Sequence, residues 1–169
     1  FLRENGGNNL TKYNYRRHLS SHPDWYNNVE PHDWDYELGM IQDIAPQVQT
    51  MYGFQLLGLV AETEANNFKD WDWYVNHDKK WLNTDQNVAG SGSVPNPDDG
   101  ETALTDGDPD SYLMPWPADS TVGILDHWFG EGGLGFDRSK VLYWAMDNEP
   151  EIWHGTHDDV QKEPVSADE

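Results

Sequence analysis

Trp34, Leu38, Ile41 and Ala45 recur at intervals of three and four residues, the spacing of one helical stripe, so a helix is predicted over residues 33–45. Pro31 and Asp33 suit its start, and Pro46 stops it, because proline cannot donate to the helical ladder. The run from Val48 to Val60 then mixes apolar and small residues, as a buried strand and its exit loop do. Residues 62–112 show neither period. They are rich in Asn, Asp, Gly, Ser and Pro, with Trp71, Trp73 and Trp81 set among them, and predict a long decorated loop of the kind that often carries binding function.

A second helix is predicted from Asp119 or Ser120 as N-cap to Gly130 as the C-terminal glycine, with Val122, Leu125, Trp128 and Phe129 on its apolar face. Val141 to Met146 reads as a short apolar strand. Strands alternating with helices feed a parallel sheet, and an α/β class follows, most simply as part of a (β/α)8 barrel. A whole barrel of that kind takes about 250 residues, more than the 169 of this chain. The expectation is therefore a partial barrel with one long inserted loop.

Composition narrows the function. With 9 Trp, 8 Tyr and 5 Phe, the chain has the bulk for a packed core. Its 31 acidic against 10 basic residues give a formal charge of −21, which repels phosphate backbones and anionic membranes and argues against nucleic acid as a partner. A neutral polymer such as a polysaccharide meets no such repulsion, and an acidic, Lys-poor surface suits an extracellular setting; most of these charges are accounted for by solubility alone. There is no cysteine, hence neither a disulfide framework nor a thiolate metal site. No apolar run is long enough to span a membrane. The seven His lack metalloprotease spacing, which argues against a catalytic zinc. The first residue, Phe1, opens no signal segment, as in a processed or truncated product.

The residues that carry chemistry follow the last strand: Asp147, Asn148, Glu149, Pro150, Glu151, Ile152 and Trp153. Carboxyls at the C-terminal ends of parallel barrel strands point into the active cleft. Breaking a glycosidic bond needs one carboxylic acid to protonate the leaving oxygen and a second carboxylate to attack or to activate water. Glu149 suits the first role, with Asn148 hydrogen-bonding a sugar hydroxyl and Trp153 stacking on a ring. Asp106, Asp108 and Asp110 alternate on the long loop and can supply oxygen ligands to a structural calcium, although Pro109 interrupts them and the full EF-hand spacing is missing; a plain solvated acidic loop is the alternative.

Three segments together carry a resemblance. Arg3 to Asn8 (Arg-Glu-Asn-Gly-Gly-Asn) with Tyr13-Asn14-Tyr15, then Gln55 to Ala61, then Met146 to Trp153 with Thr156-His157, resemble glycoside hydrolase family 44 and occur in that family's order. The resemblance implies an endo-acting, retaining β-1,4-glucanase or xyloglucanase on a (β/α)8 barrel, with these segments at the ends of strands two, three and four and no cofactor required. It implies Glu149 as the acid/base and puts Asn8, Asn14, Tyr15, Gln55, Asn148, Trp153 and His157 at the cleft as substrate contacts or supports. The chain departs from the family pattern at Asn9, where Arg is usual, and at Tyr15, where Trp is usual. The same resemblance puts the nucleophile Glu near the seventh strand, beyond residue 169, and the first strand before Phe1, so the remainder of the barrel is an expected partner. The competing reading is a non-catalytic carbohydrate-binding protein that grips glucan with the Trp-rich loop.

Overall fold

The structure, a computed structural model, describes residues 2–3, 6–21, 29–63, 94–95, 103–105, 109–157 and 159–166. In chain order the elements are β1 (Leu2–Arg3), α1 (Asn8–Thr11), β2 (Leu19–Ser21), β3 (Val29–Pro31), α2 (Trp34–Ile44), β4 (Thr50–Phe54), β5 (Leu59–Ala61), β6 (Val94–Pro95), β7 (Ala103–Thr105), β8 (Leu113–Pro115), α3 (Ala118–Val122), α4 (Ile124–Phe129), β9 (Val141–Met146) and α5 (Trp153–Thr156). The loop tryptophans Trp71, Trp73 and Trp81, and two of the three proposed calcium ligands, Asp106 and Asp108, lie outside the described residues.

The centre is a three-stranded parallel sheet in the order β1-β4-β9. β1 pairs with β4 from Leu2 opposite Thr50, and β4 with β9 from Thr50 opposite Val141 to Phe54 opposite Met146, with one irregularity between Thr50 and Met51. All three strands end at the same edge, so the segments that follow them are neighbours. α2 forms where the stripe predicted it, and the Asp33 carboxylate caps it by accepting from the Tyr36 backbone N–H at 2.9 Å. Trp34 and Leu38 of that stripe are buried.

Aromatic packing holds the helices to the sheet. Tyr52 of β4 meets Trp128 of α4 edge-on at 4.6 Å, and Phe54 stacks on Trp144 of β9 at 5.1 Å. Edge-on and offset stacked geometries suit the ring quadrupoles. Asp35 of α2 ties the same layer together, accepting from the Trp128 indole at 2.5 Å and meeting the His127 ring at 2.6 Å.

The second predicted helix differs in three respects. It starts at Ala118 behind Pro117, not at Asp119 or Ser120, and Gly123 divides it into α3 and α4. A Cβ on Gly123 would lie 2.7 Å from the Tyr15 hydroxyl, so this turn requires glycine. Its buried face also runs through Thr121, Ile124 and Trp128, while Val122 is exposed. Thr121 faces the sheet because its hydroxyl donates to the Gln55 carbonyl at 3.2 Å, and that turns Val122 outward.

Three antiparallel pairs, β2-β3, β5-β8 and β6-β7, were not foreseen. β5 occupies what the pattern assigned to the exit loop, and its pairing with β8, from Leu59 opposite Pro115 to Ala61 opposite Leu113, closes the base of the long insertion. β6 and β7 place a short ladder inside residues 62–112, so that segment is not a structureless loop throughout. Among the described residues the parallel strands form an open sheet, not a closed barrel, and no helix is long and apolar enough to cross a membrane.

Candidate active site

Glu149 stands just past the C-terminal end of β9, exposed, in a backbone that no regular strand allows. Asp147 and Glu149 both take left-handed φ values, 57° and 46°. Such conformations cost a residue with a Cβ roughly 1–2 kcal/mol each and persist only where surrounding contacts enforce them. Here the contacts are visible. The Asp147 N–H donates to the Phe54 carbonyl at 2.8 Å, continuing the ladder for one residue beyond β9. Its side chain then turns into the interior, with the residue 7 % exposed.

That buried carboxylate accepts from the Thr11 hydroxyl at 2.6 Å, the Leu56 N–H at 2.6 Å and the Asn148 N–H at 2.8 Å. Burial pushes the Asp147 carboxyl above its ordinary value, and the hydrogen bonds it accepts, that from Thr11 foremost, oppose the rise. Asn148 is buried as well, and its amide donates to the Glu149 carboxylate at 3.1 Å and to the Asn8 side-chain oxygen at 3.4 Å. The Trp153 indole donates to the Asn148 carbonyl at 2.9 Å. Asn8, Asn148, Glu149 and Trp153 are thus brought to one place by the exits of β1 and β9.

The other sequence-predicted residues are placed differently. Gln55 is buried at the β4 exit and helps to line a cavity of about 340 Å³ with Leu56, Trp116, Thr121 and Met146; neither Glu149 nor Asn148 lines it. Asn14 is buried and serves the backbone, donating to the Ala61 carbonyl at 2.8 Å and accepting from the Arg16 N–H at 3.1 Å. Tyr15 lies in the core, edge-on to Trp116 at 5.5 Å. His157 is fully buried, with its ring edge-on to Trp153 at 6.5 Å. Asp110 is exposed in a short 3₁₀ turn.

Two polar clusters escaped the sequence reading. Lys12 is fully buried and pairs with both oxygens of Asp159 at 2.6 Å, and the Tyr112 hydroxyl donates to the same carboxylate. This group ties the segment after α5 to the turn after α1. In the second cluster, His18, Asp33 and Asp35 bring one potential ligand atom each within 4.8 Å of the others. Both ring nitrogens of His18 face carboxylates at 3.3 Å, Nδ1 toward Asp33 and Nε2 toward Asp35, so polar contacts within the protein account for the arrangement. The Lys12 cluster has no local signature, since its partners are distant in sequence.

The comparisons with known proteins bear on the family and the fold. The model of the family described as Glycoside hydrolase family 44 matches residues 18–169. No curated protein sequence matches the chain. Among solved structures, the crystal structure of CelM2, a bifunctional glucanase-xylanase from a metagenome library, shares the fold with a TM-score of 0.64 at 22 % identity. The alignment covers 99 % of this chain and 33 % of that one, so the chain spans about a third of its relative's length. The family model takes in nearly the whole chain, from residue 18 to residue 169, and the chain therefore belongs to glycoside hydrolase family 44.

Proposed function

We propose that this chain is the acid/base-bearing portion of an endo-acting, retaining glycoside hydrolase that cleaves β-1,4-glucan, with Glu149 as the general acid and then the general base. The observation that carries the reading is the strand-end placement of Glu149, whose carboxylate receives a hydrogen bond from Asn148 in a backbone strained into the left-handed region. Parallel strands present their catalytic groups at this edge.

The proposed reaction needs a second carboxylate about 5–5.5 Å from the first, to form and then release a glycosyl ester. The family resemblance assigns that nucleophile to a later strand of a closed barrel. β9 suits such a neighbour: Leu142, Tyr143 and Met146 are exposed on it, whereas parallel strands are normally covered on both faces. In the first step Glu149 gives its proton to the departing glycosidic oxygen; in the second it takes a proton from the attacking water. Both catalytic groups are protein carboxyls, so no cofactor enters the chemistry, and a structural calcium at Asp106, Asp108 and Asp110 would act on the long loop alone. A polymeric substrate places the activity outside the cell.

The test is reducing-sugar release by the full-length protein from soluble cellulose derivatives, xyloglucan, mixed-linkage glucan and xylan. Xylan joins the panel because the solved relative is described as a glucanase-xylanase. Newly formed β-anomers seen by NMR early in the digestion support retention. Tight binding to glucan without any release of reducing ends would favour the non-catalytic alternative based on the Trp-rich loop.

A further inference from the structure

The exposed Glu149 carboxylate takes a hydrogen bond from the Asn148 amide, and its aim follows the backbone from residue 147 to residue 149. Three strand exits converge on one side chain there. Asp147 Oδ1 accepts from Thr11, in the helix after β1, and from the N–H of Asn148; Oδ2 accepts from Leu56, just past β4. The Asn148 backbone is held at both ends, its N–H by the Asp147 carboxylate and its carbonyl by the Trp153 indole.

From this geometry we infer that Asp147, held by Thr11, is a positioning residue that fixes the aim of Glu149; the inference rests on the acid/base reading of Glu149 given above. Asp147 touches neither substrate nor the reacting atoms in this scheme. It sets the left-handed turn at residue 147, and through the Asn148 peptide it sets where the Asn148 amide and the Glu149 carboxylate meet.

The donor pattern explains why an aspartate is required. Three groups point at its two oxygens, and two of them are backbone N–H groups that cannot reverse. An ionised carboxylate is acceptor-only and satisfies all three. An asparagine would set its NH₂ against the Leu56 N–H in one orientation and against the Asn148 N–H in the other. Only the Thr11 hydroxyl can rotate to accept. The inverse change at Thr11 is milder: valine keeps the shape and removes one donor, while serine restores it.

The experiment compares Asp147→Asn, Thr11→Val, Thr11→Ser and Glu149→Gln in the full-length protein, each on glucan polymer and on aryl glycosides with good leaving groups. A displaced acid hurts most where the leaving group needs its proton. Misplacing a catalytic group by about an ångström costs on the order of 10²-fold, so kcat of Asp147→Asn on polymer should fall by that much, with KM little changed and a smaller loss on the aryl substrates. Thr11→Val should lose about tenfold with the same substrate pattern, and Thr11→Ser should turn over like wild type. A folded Asp147→Asn protein with wild-type kcat, or equal losses on both substrate types, would overturn the inference. If Asp147→Asn does not fold, Thr11→Val decides by the same two criteria. Glu149→Gln keeps the two readings apart: wild-type polymer turnover there defeats the acid/base assignment, whereas its inactivity beside unaffected Asp147 and Thr11 variants defeats the positioning role alone.

Discussion

The body of the parallel sheet and its C-terminal edge are built on opposite principles. In the body, the rings of Tyr52, Phe54 and Trp144 pack on one another, and Tyr52 also meets Trp34 and Trp128. One strand exit later that pattern ends. Asp147 buries a carboxylate and Glu149 takes a left-handed backbone without being glycine. The difference teaches where the molecule stores strain. A well-packed layer of rings holds the strand ends still, and a few hydrogen bonds among Thr11, Leu56, Asp147 and Asn148 convert that rigidity into a fixed carboxyl.

This contrast is broken most forcefully from the body. Trp128 is fully buried, contacts Tyr52, Phe129 and Phe136, and donates to Asp35. Trp128→Ala should cost about 3–5 kcal/mol by chemical denaturation, the usual penalty for deleting a core tryptophan. An intact melting transition in that variant would show that the aromatic layer does not hold the edge.

A substitution at the junction tests the link between the two regions. A Cβ on Gly53 would clash with Leu10 Cδ2, and Leu10 adjoins Thr11. Gly53→Ala should therefore destabilise by about 1–3 kcal/mol through overpacking and also lower polymer turnover, because displacing Leu10 displaces Thr11. A loss of stability with unchanged turnover would separate body from edge completely.

The smallest effect is expected far from the edge. Asp33→Ala removes the α2 cap and should cost about 1 kcal/mol of stability while leaving turnover unaffected. Denaturant titration alongside the polymer assay checks both parts.

What the sequence made legible follows the same division. α2 was readable because its stripe and its cap are local, and the motif at 147–153 was readable because strand-end carboxyls carry a chemical reason for their place. The N-terminal boundary and the buried face of α3 and α4 were misplaced: the approach of the Tyr15 hydroxyl to Gly123 and the bond from Thr121 to Gln55 are tertiary contacts that no helical period reports. β5 and β8 are three residues each and pair across the long insertion, too short for periodicity to register. Thr11 reaches Asp147 from 136 residues away and Lys12 reaches Asp159 from 147, so nothing near either residue in the sequence announced its partner. Among the motif positions, Asn14 shows how an asparagine at such a place serves loop backbone: its side chain is occupied by Ala61 and Arg16.

In the proposed function Glu149 delivers the proton that breaks the glycosidic bond. The most direct measurement is turnover by full-length Glu149→Gln protein on unactivated β-glucan beside an aryl glycoside with a good leaving group, with glucan binding measured on the same preparation. Polymer hydrolysis should fall by about 10²- to 10⁴-fold, the first step on the aryl substrate should fall much less, and binding should persist. Polymer hydrolysis at the wild-type rate by a folded, glucan-binding Glu149→Gln protein would contradict the account.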